Sequence, residues 1–293
     1  MPNHALRADL LMLLTALIWG TGFVAQTAGM DHIGPYLFSG LRFALGSLCL
    51  IPLILRNATV RVPEPLLNHG MLRAGIIMGL TLALGISLQQ VGLLFTSVTN
   101  SGFITGLYVI VVPLLGLLLG HKTGLGTWLG CLLAVVGMCL LSIGDNFHVA
   151  SGDWLQLIGA FVWGGHVVLV SLFASRHDPI RLAFLQFATC SVVSLLLAVL
   201  FEPIALDAII AAAPSLLYGG IVAVGVGYTL QVVAQKHAIA SHAAIILSLE
   251  AVFAAIAGAW ILGEALQLRG YIGCGLMLAG MLLAQLWPKK TLA

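Results

Sequence analysis

Ala16-Leu17-Ile18-Trp19-Gly20 returns as Ala160-Phe161-Val162-Trp163-Gly164, at an offset of 144 residues (19 to 163). Each copy lies inside an apolar run, 8–28 for the first and 152–174 for the second. The same offset pairs Pro35 with Pro179 and Arg42-Phe43-Ala44 with Gln186-Phe187-Ala188. At an offset of 143 (137 to 280), Leu119-Gly120 meets Leu262-Gly263, Gly130-Cys131 meets Gly273-Cys274, and Gly137 meets Gly280. The register barely drifts along the chain, which marks a duplicated unit. The expected halves are 1–147 and 148–293.

Around these repeats the composition leaves one solvent. Hydrophobic residues make up 60% of the 293 residues and charged residues 8%, with a mean hydropathy of +1.11. A soluble domain carries about 25% charged residues, so water cannot be the medium for this surface. In the bilayer every backbone polar group must be paired internally, which leaves helices or a closed barrel. Barrel strands alternate polar and apolar residues; here the apolar runs are continuous and roughly 20 residues long, the length of a spanning helix. Ten such spans are expected, at 8–28, 35–55, 72–94, 98–119, 124–144, 152–174, 180–200, 214–234, 241–262 and 267–287. The first is expected to be retained rather than cleaved as a signal peptide, because its sequence recurs mid-chain. The longest connection, 56–73, carries Pro63 and Pro65 and reads as a surface loop. The expected fold is an all-α polytopic membrane protein of ten transmembrane helices, arranged as two five-helix repeats.

Charge sets the orientation. Arg7, Arg56, Arg61, Arg73, Lys122, Arg176, Arg181, Lys236, Lys289 and Lys290 fall on one side of that arrangement, Arg269 alone on the other, and Arg42 inside a span. The positive-inside rule then places both termini in the cytoplasm, as an even span count requires. Five spans per unit is odd, so the second repeat enters the membrane from the opposite side. Inverted repeats of this kind typically carry a site near the midplane where the halves meet.

Polar groups inside the spans are the candidates for chemistry. Glu250 is the only acid well inside a span, roughly nine residues or ~13 Å from one end at 1.5 Å per residue. An ionisable group at that depth is costly and marks function by default. Its helix face holds the mostly small residues Ala243, Leu247, Ala254 and Ala257. It reads as a proton-coupling group or a binder of an amine, or else as a structural acid. Arg42 is the only intramembrane cation; it reads as a snorkelling side chain, a gating ion-pair partner or a clamp for a carboxylate. A polar stripe of Gln156, Gly159, Trp163 and His166 on span six is echoed by Thr15, Trp19, Gly22 and Gln26 on span one. At these spacings the residues share a helix face, which turns away from lipid toward a cavity or a neighbouring helix. His166 is either a proton relay, since imidazole ordinarily titrates near neutrality, or a neutral partner for another helix. Span four adds Ser101, Thr105 and Tyr108 beside Asn100; span three adds Gln89 and Gln90; span eight adds Tyr228, Gln231 and Gln235. From these, Trp19, Gln90, Tyr108, Trp163, His166, Tyr228 and Glu250 are taken as candidate substrate contacts. Glu250, Arg42 and Pro113, which interrupts span four, are taken as candidate coupling or gating residues. The pairs Gly102/Gly106, Gly116/Gly120 and Gly126/Gly130 let helices approach closely and leave room for a homodimer.

The paired Trp-Gly motifs, Gly-Leu-Tyr-Val-Ile-Val-Val-Pro at 106–113, Leu-Glu-Ala-Val-Phe at 249–253 and Leu-Gly-Glu at 262–264 resemble the drug/metabolite transporter superfamily, specifically its EamA-type members. The resemblance covers essentially the whole chain. It implies an inner-membrane carrier, usually an exporter of amino acids or related small metabolites. It also implies a central cavity lined mainly by spans one, three, four, six, eight and nine, with spans five and ten peripheral. Two positions depart from the pattern: His121 stands where the second half has Glu264, and Ala251 follows Glu250 where the family usually has proline.

Other functions find little support. Gly124-x-Gly126-x-x-x-Gly130 lacks the Gly-Lys-Ser/Thr ending of a nucleotide loop. Residues 99–102 read Thr-Asn-Ser-Gly, without the Gly-x-Ser-Gly of a rhomboid-like protease. No His/Cys cluster has metal spacing, and Cys49, Cys131, Cys139, Cys190 and Cys274 all fall in apolar runs as packing residues. No ring of charges marks a channel. An enzyme, a cofactor and a nucleic-acid partner are therefore not expected; a small-molecule substrate and the lipid bilayer are. Phosphate-bearing substrates, including nucleotide sugars, need cationic groups, and the spans hold one Arg and no Lys. A neutral or zwitterionic solute, with an aromatic part suited to Trp19, Trp163 and Tyr108, is the expected cargo.

Overall fold

Continuous apolar runs in a medium without water become helices, because only the i→i−4 ladder satisfies each backbone group within its own segment. The computed structural model describes residues 2–58, 68–120, 123–142, 150–236, 238–261, 263 and 267–287, and among them it contains no strand. Ten helices follow in order: α1 Pro2–Met30, α2 Pro35–Ala58, α3 His69–Leu93, α4 in two pieces Val98–Gly106 and Tyr108–Leu118, and α5 Leu125–Ser142. The second half gives α6 Ser151–Ala174, α7 Pro179–Phe201 and α8, built of Ala213–Leu217, a π-helical Tyr218–Tyr228 and Thr229–Gln235. It ends with α9 in two pieces, Ala240–Leu247 and Glu250–Ile261, and α10 Leu268–Leu286. A short helix, Leu206–Ala211, precedes α8. Eight of the ten are long and apolar enough to cross a membrane; α5 and α10 carry the shorter apolar runs Leu125–Leu140 and Leu268–Ala284. Arg61, Pro63, Pro65, His121, Lys122, Leu262, Glu264, Lys289, Lys290 and the expected 147/148 boundary lie outside the described residues.

The helices pair as a two-fold exchange of equivalent parts demands. α2 packs on its own counterpart α7, and α5 on its counterpart α10. α1 packs on α8 and the second piece of α9, while α6 packs on α3 and α4. Each repeat thus lends its first helix to the other. Glycines set the closeness. A β-carbon on Gly130 would lie 2.8 Å from Gly280 O, and one on Gly137 would lie 2.5 Å from Gly273 O. Gly130 and Gly273 are equivalent positions, as are Gly137 and Gly280, so the repeated glycines meet crosswise. The Trp-Gly motif works the same way. A β-carbon on Gly20 would sit 2.7 Å from Ala254 N of α9, and one on Gly164 would sit 2.6 Å from Val111 Cγ1 of α4. Positions 111 and 254 are themselves related by the 143-residue offset. With lipid tails as apolar as leucine, such close backbone packing supplies much of the association energy between helices.

Polar side chains tie the ends. Glu202, just past α7, accepts the Tyr36 and Leu37 N–H groups at the start of α2, both at 2.7 Å. Asp9 of α1 meets His242 Nε2 of α9 at 3.1 Å. Its equivalent Asp153, at the opposite end of the bundle, accepts Thr96 Oγ1 at 2.6 Å and the Ala150 N–H at 2.8 Å. Pro113 removes one N–H from α4 and so strips Val109 O of its ladder partner; Cys131 Sγ of α5 donates to that carbonyl at 3.3 Å.

The glycine contacts have a measurable sign. Gly137→Ala, which presses a methyl onto backbone, is expected to destabilise by about 1–3 kcal/mol. Gly275→Ala faces nothing within 4 Å and is expected to be neutral or stabilising by up to ~1 kcal/mol. Thermal unfolding of both variants in detergent checks the contrast; equal shifts would remove close packing as the reason for the glycines.

Candidate functional site

Glycine at positions 20 and 164 brings α1 and α6 hard against the opposite repeat, and the adjacent tryptophans are aimed into the gap between the halves. Trp19 lies against Gly227 of α8 and Trp163 against Gly85 of α3. Their rings converge on Tyr228. The Trp19–Tyr228 centroids are 4.4 Å apart, tilted by 48°, and Trp163–Tyr228 stack at 6.3 Å and 26°. Phe43 and Phe187, themselves equivalent, close on Tyr228 from behind at 5.7 and 6.1 Å. The result is a narrow, aromatic-walled cavity.

Its lining comes from α1 (Trp19, Gly22, Phe23, Gln26), α2 (Arg42), α3 (Gln89), α4 (Thr105, Tyr108), α6 (Trp163, Val167), α8 (Ala223, Tyr228, Gln231) and α9 (Glu250). Among the described residues α5 and α10 contribute nothing, and α2 is the addition to the expected set. The walls are irregular where the cavity lies. α4 breaks at Leu107, just before Tyr108, and α9 breaks at Ser248-Leu249, just before Glu250. These breaks correspond within about one residue across the repeat. α8 is π-helical from Tyr218 to Tyr228, a rare geometry that recurs at functional sites. One of its carbonyls, Ala223 O, accepts from Trp19 Nε1 at 3.3 Å; Thr15 Oγ1 lies 3.3 Å from Gly227 O but is closer, at 2.9 Å, to Leu11 O of its own helix.

Arg42 is 2% exposed, and its guanidinium carbon lies 5.4 and 5.2 Å from the Phe38 and Phe43 ring centres. One Nη donates to Gln90 Oε1 at 3.5 Å. Glu250 is 4% exposed and opens the second piece of α9, where the positive end of the helix dipole faces its carboxylate. Both charges line the cavity, yet no ion pair joins them. A chain of amides runs beside them: Gln89 Nε2 donates to Gln26 Oε1 (3.2 Å), Gln156 Nε2 to Gln89 O (3.0 Å), and Thr105 Oγ1 to Gln156 Oε1 (3.3 Å). It links α1, α3, α6 and α4.

Six sequence candidates therefore meet in one cavity: Trp19, Arg42, Tyr108, Trp163, Tyr228 and Glu250. Three stand behind it. Gln90 bridges Arg42 and Met30 Sδ (3.2 Å). His166 Nε2 meets Gln186 Oε1 of α7 at 2.9 Å. Pro113 sits a turn and a half beyond Tyr108 in the core, and Cys131 Sγ stands in for its missing N–H at Val109 O. Gln231, named on span eight but not kept among the candidate contacts, also lines the cavity, as its spacing of three from Tyr228 allows. The described residues hold no group of three or more metal-ligating side chains.

Most telling is where hydrogen bonds are missing. Arg42 Nε, Trp163 Nε1 and both amide atoms of Gln231 are buried without a protein partner on cavity-lining residues, while the Tyr108 hydroxyl and the Glu250 carboxyl have only each other. An unsatisfied buried polar group costs about 1–3 kcal/mol. Other unpaired atoms lie elsewhere, on Ser39, Ser101, His166, Gln186, Ser194, Thr229 and Gln235, but those lining this space are the ones that a molecule entering it can complete.

Comparison with known proteins agrees with this architecture. The EamA-like transporter family matches residues 6–143 and again 150–286. A protein of Archaeoglobus fulgidus named as an uncharacterized transporter is 32% identical over 285 residues, covering 96% of this chain and 86% of its own. A probable amino-acid metabolite efflux pump of Salmonella typhimurium is 28% identical over 181 residues, 58% of this chain and 54% of that one. One crystal structure of a protein shares the fold with a TM-score of 0.74 at 21% identity, covering 95% of this chain and 96% of the other. The duplicated five-helix unit, the cavity between its copies and the family match over both halves make this chain a multi-pass membrane protein of the EamA-like transporter family.

Proposed function

We propose that this transporter carries amino acids or closely related zwitterions across the inner membrane, in the export direction. The observation that carries the reading is the pair of opposite charges, Arg42 and Glu250, that face one cavity without neutralising each other. A zwitterion supplies the missing partner of each: its carboxylate for the guanidinium, its ammonium for the carboxylate. Trp19, Trp163 and Tyr228 offer apolar walls to the rest of the molecule. The Salmonella relative's name points the same way. Phosphorylated sugars and nucleotide sugars fit less well, since Arg42 is the one cation that lines the cavity.

In this reading residues 1–147 and 148–293 are the two inverted units, both termini are cytoplasmic, and transport proceeds by alternating access. The tie between Asp9 and His242 holds one end of the cavity and the tie between Asp153 and Thr96 the other; opening to either side breaks one of them. Glu250 exchanges its proton for the substrate's ammonium, which couples the cycle to a proton gradient. Trp19, Tyr108, Trp163 and Tyr228 contact substrate directly. Gln90 and His166 hold the site's wall from behind, and the Pro113 kink lets α4 bend.

The test is counterflow in proteoliposomes with a radiolabelled amino-acid panel. Saturable exchange of at least one amino acid is expected; exchange confined to sugars, nucleobases or cationic drugs would sink the substrate assignment. Arg42→Gln is expected to raise KM for carboxylate-bearing solutes by roughly 10- to 150-fold, the range of a charged hydrogen bond, with little change for an amine that lacks the carboxylate. Glu250→Gln is expected to raise KM for amine-bearing solutes, to retain counterflow at saturating substrate and to lose acceleration by an imposed pH gradient. Loss of both activities would instead make Glu250 a binding group alone.

A further inference from the structure

The buried glutamines of the described residues sort themselves by what they touch. Gln26, Gln89, Gln90 and Gln156 share the amide network and the Arg42 contact, Gln186 Oε1 accepts from His166 Nε2, and Gln235 donates to Val167 O (3.0 Å) and Ser171 Oγ (2.9 Å) of α6. Gln231 differs. It is 1% exposed, it lines the cavity, and neither its Nε2 nor its Oε1 has a partner. One turn further along α8, Gln235 shows that this helix face can bond α6 when a carbonyl is opposite. At Gln231 the neighbour is the cavity itself. A carboxamide buried in the membrane interior with both ends unmade is among the most expensive neutral side chains to keep there. An apolar residue of similar size would pack at no such cost.

We propose that Gln231 is a specificity-determining residue that reads a third polar group of the substrate, beyond its ammonium and carboxylate. A primary amide presents a donor and an acceptor side by side, so its best complement is a group that does the same. The favoured cargo is thus a zwitterion whose neutral side chain ends in a carboxamide or a comparable donor–acceptor group. The assignment rests on the amino-acid reading above and narrows it. Alkyl side chains of the same length leave both amide atoms of Gln231 unpaired in the loaded state, and a site built around such a bond rejects analogues that lack it far better than an apolar pocket rejects an added methylene.

The experiment is counterflow of radiolabelled glutamine and methionine, which match in length and differ in the terminal group, by the full-length wild type and by Gln231→Met. Wild type is expected to prefer glutamine, and the variant's glutamine-to-methionine ratio of kcat/KM is expected to fall roughly ten- to hundredfold, with the change in KM for glutamine. An unchanged ratio, or a wild type that prefers methionine, overturns the assignment. Should Gln231→Met not fold, competition against wild-type counterflow decides alone: glutamine, asparagine and serine displacing label ahead of norleucine and methionine supports the role, and the reverse order overturns it. Wild type that exchanges no zwitterion defeats the amino-acid reading and this assignment with it. Exchange of both solutes at a ratio untouched by Gln231→Met defeats only the role of Gln231.

Discussion

Hydrocarbon offers no hydrogen bonds, and the structure follows from what must then be supplied by the protein itself. Backbone groups close on their own helices, which is why the described chain is helical throughout its spans. Where a helix is interrupted, a neighbour fills the gap. Pro113 frees Val109 O and Cys131 Sγ takes it. The π-helical stretch of α8 presents the Ala223 carbonyl to Trp19. Buried side chains obey the same accounting: Ser191 Oγ bonds Gly40 O at 2.9 Å across the α2–α7 contact, and His166 finds Gln186. Unpaired buried atoms remain on Ser39, Ser101, His166, Gln186, Ser194, Thr229 and Gln235 as well; those of Arg42, Trp163 and Gln231 are set apart by facing a common cavity.

The second governing element is exchange between the repeats. α1 docks onto the second half and α6 onto the first, each through the glycine that follows its tryptophan. The motif therefore does two jobs at once. Glycine lowers the distance between backbones, and the preceding aromatic, about 100° around the helix, is carried into the space between the halves. The cavity is a consequence of how the halves hold each other, so a rearrangement of that contact must reshape the cavity. α5 and α10 meet each other through their glycines and pack behind the walls, Cys131 and Met138 against α4, and among the described residues neither reaches the cavity.

Polar ties are placed so that neither end of the cavity depends on lipid. Asp9 and Asp153 occupy equivalent positions at the starts of α1 and α6, and so act at opposite ends of the bundle. One meets a histidine on α9 and the other a threonine beside the start of α4. Exposed leucines such as Leu84, Leu118, Leu196 and Leu200 coat the outside, where lipid makes their exposure favourable.

Much of this was legible in the chain. Run length and the lack of charge determine spanning helices, because the bilayer thickness sets their length. The 143–144-residue offset determines a repeat, and five spans per unit make it inverted. Helical spacing determines that Trp19, Trp163, Tyr108, Tyr228, Arg42 and Glu250 turn from lipid, because a polar group on one face of an apolar helix has nowhere else to go. Spacing carries no information about the helix opposite, however, and that is what the tertiary structure decided. It separated Gln231 from Gln235, one turn apart and chemically identical, by giving one a cavity and the other a carbonyl. It set Gln90 and His166 behind the wall, and it left Arg42 and Glu250 facing a shared space unpaired. The π geometry of α8 was equally invisible, since its glycine-rich stretch has no periodicity of its own and its shape is settled by α1 and α2 packing against it.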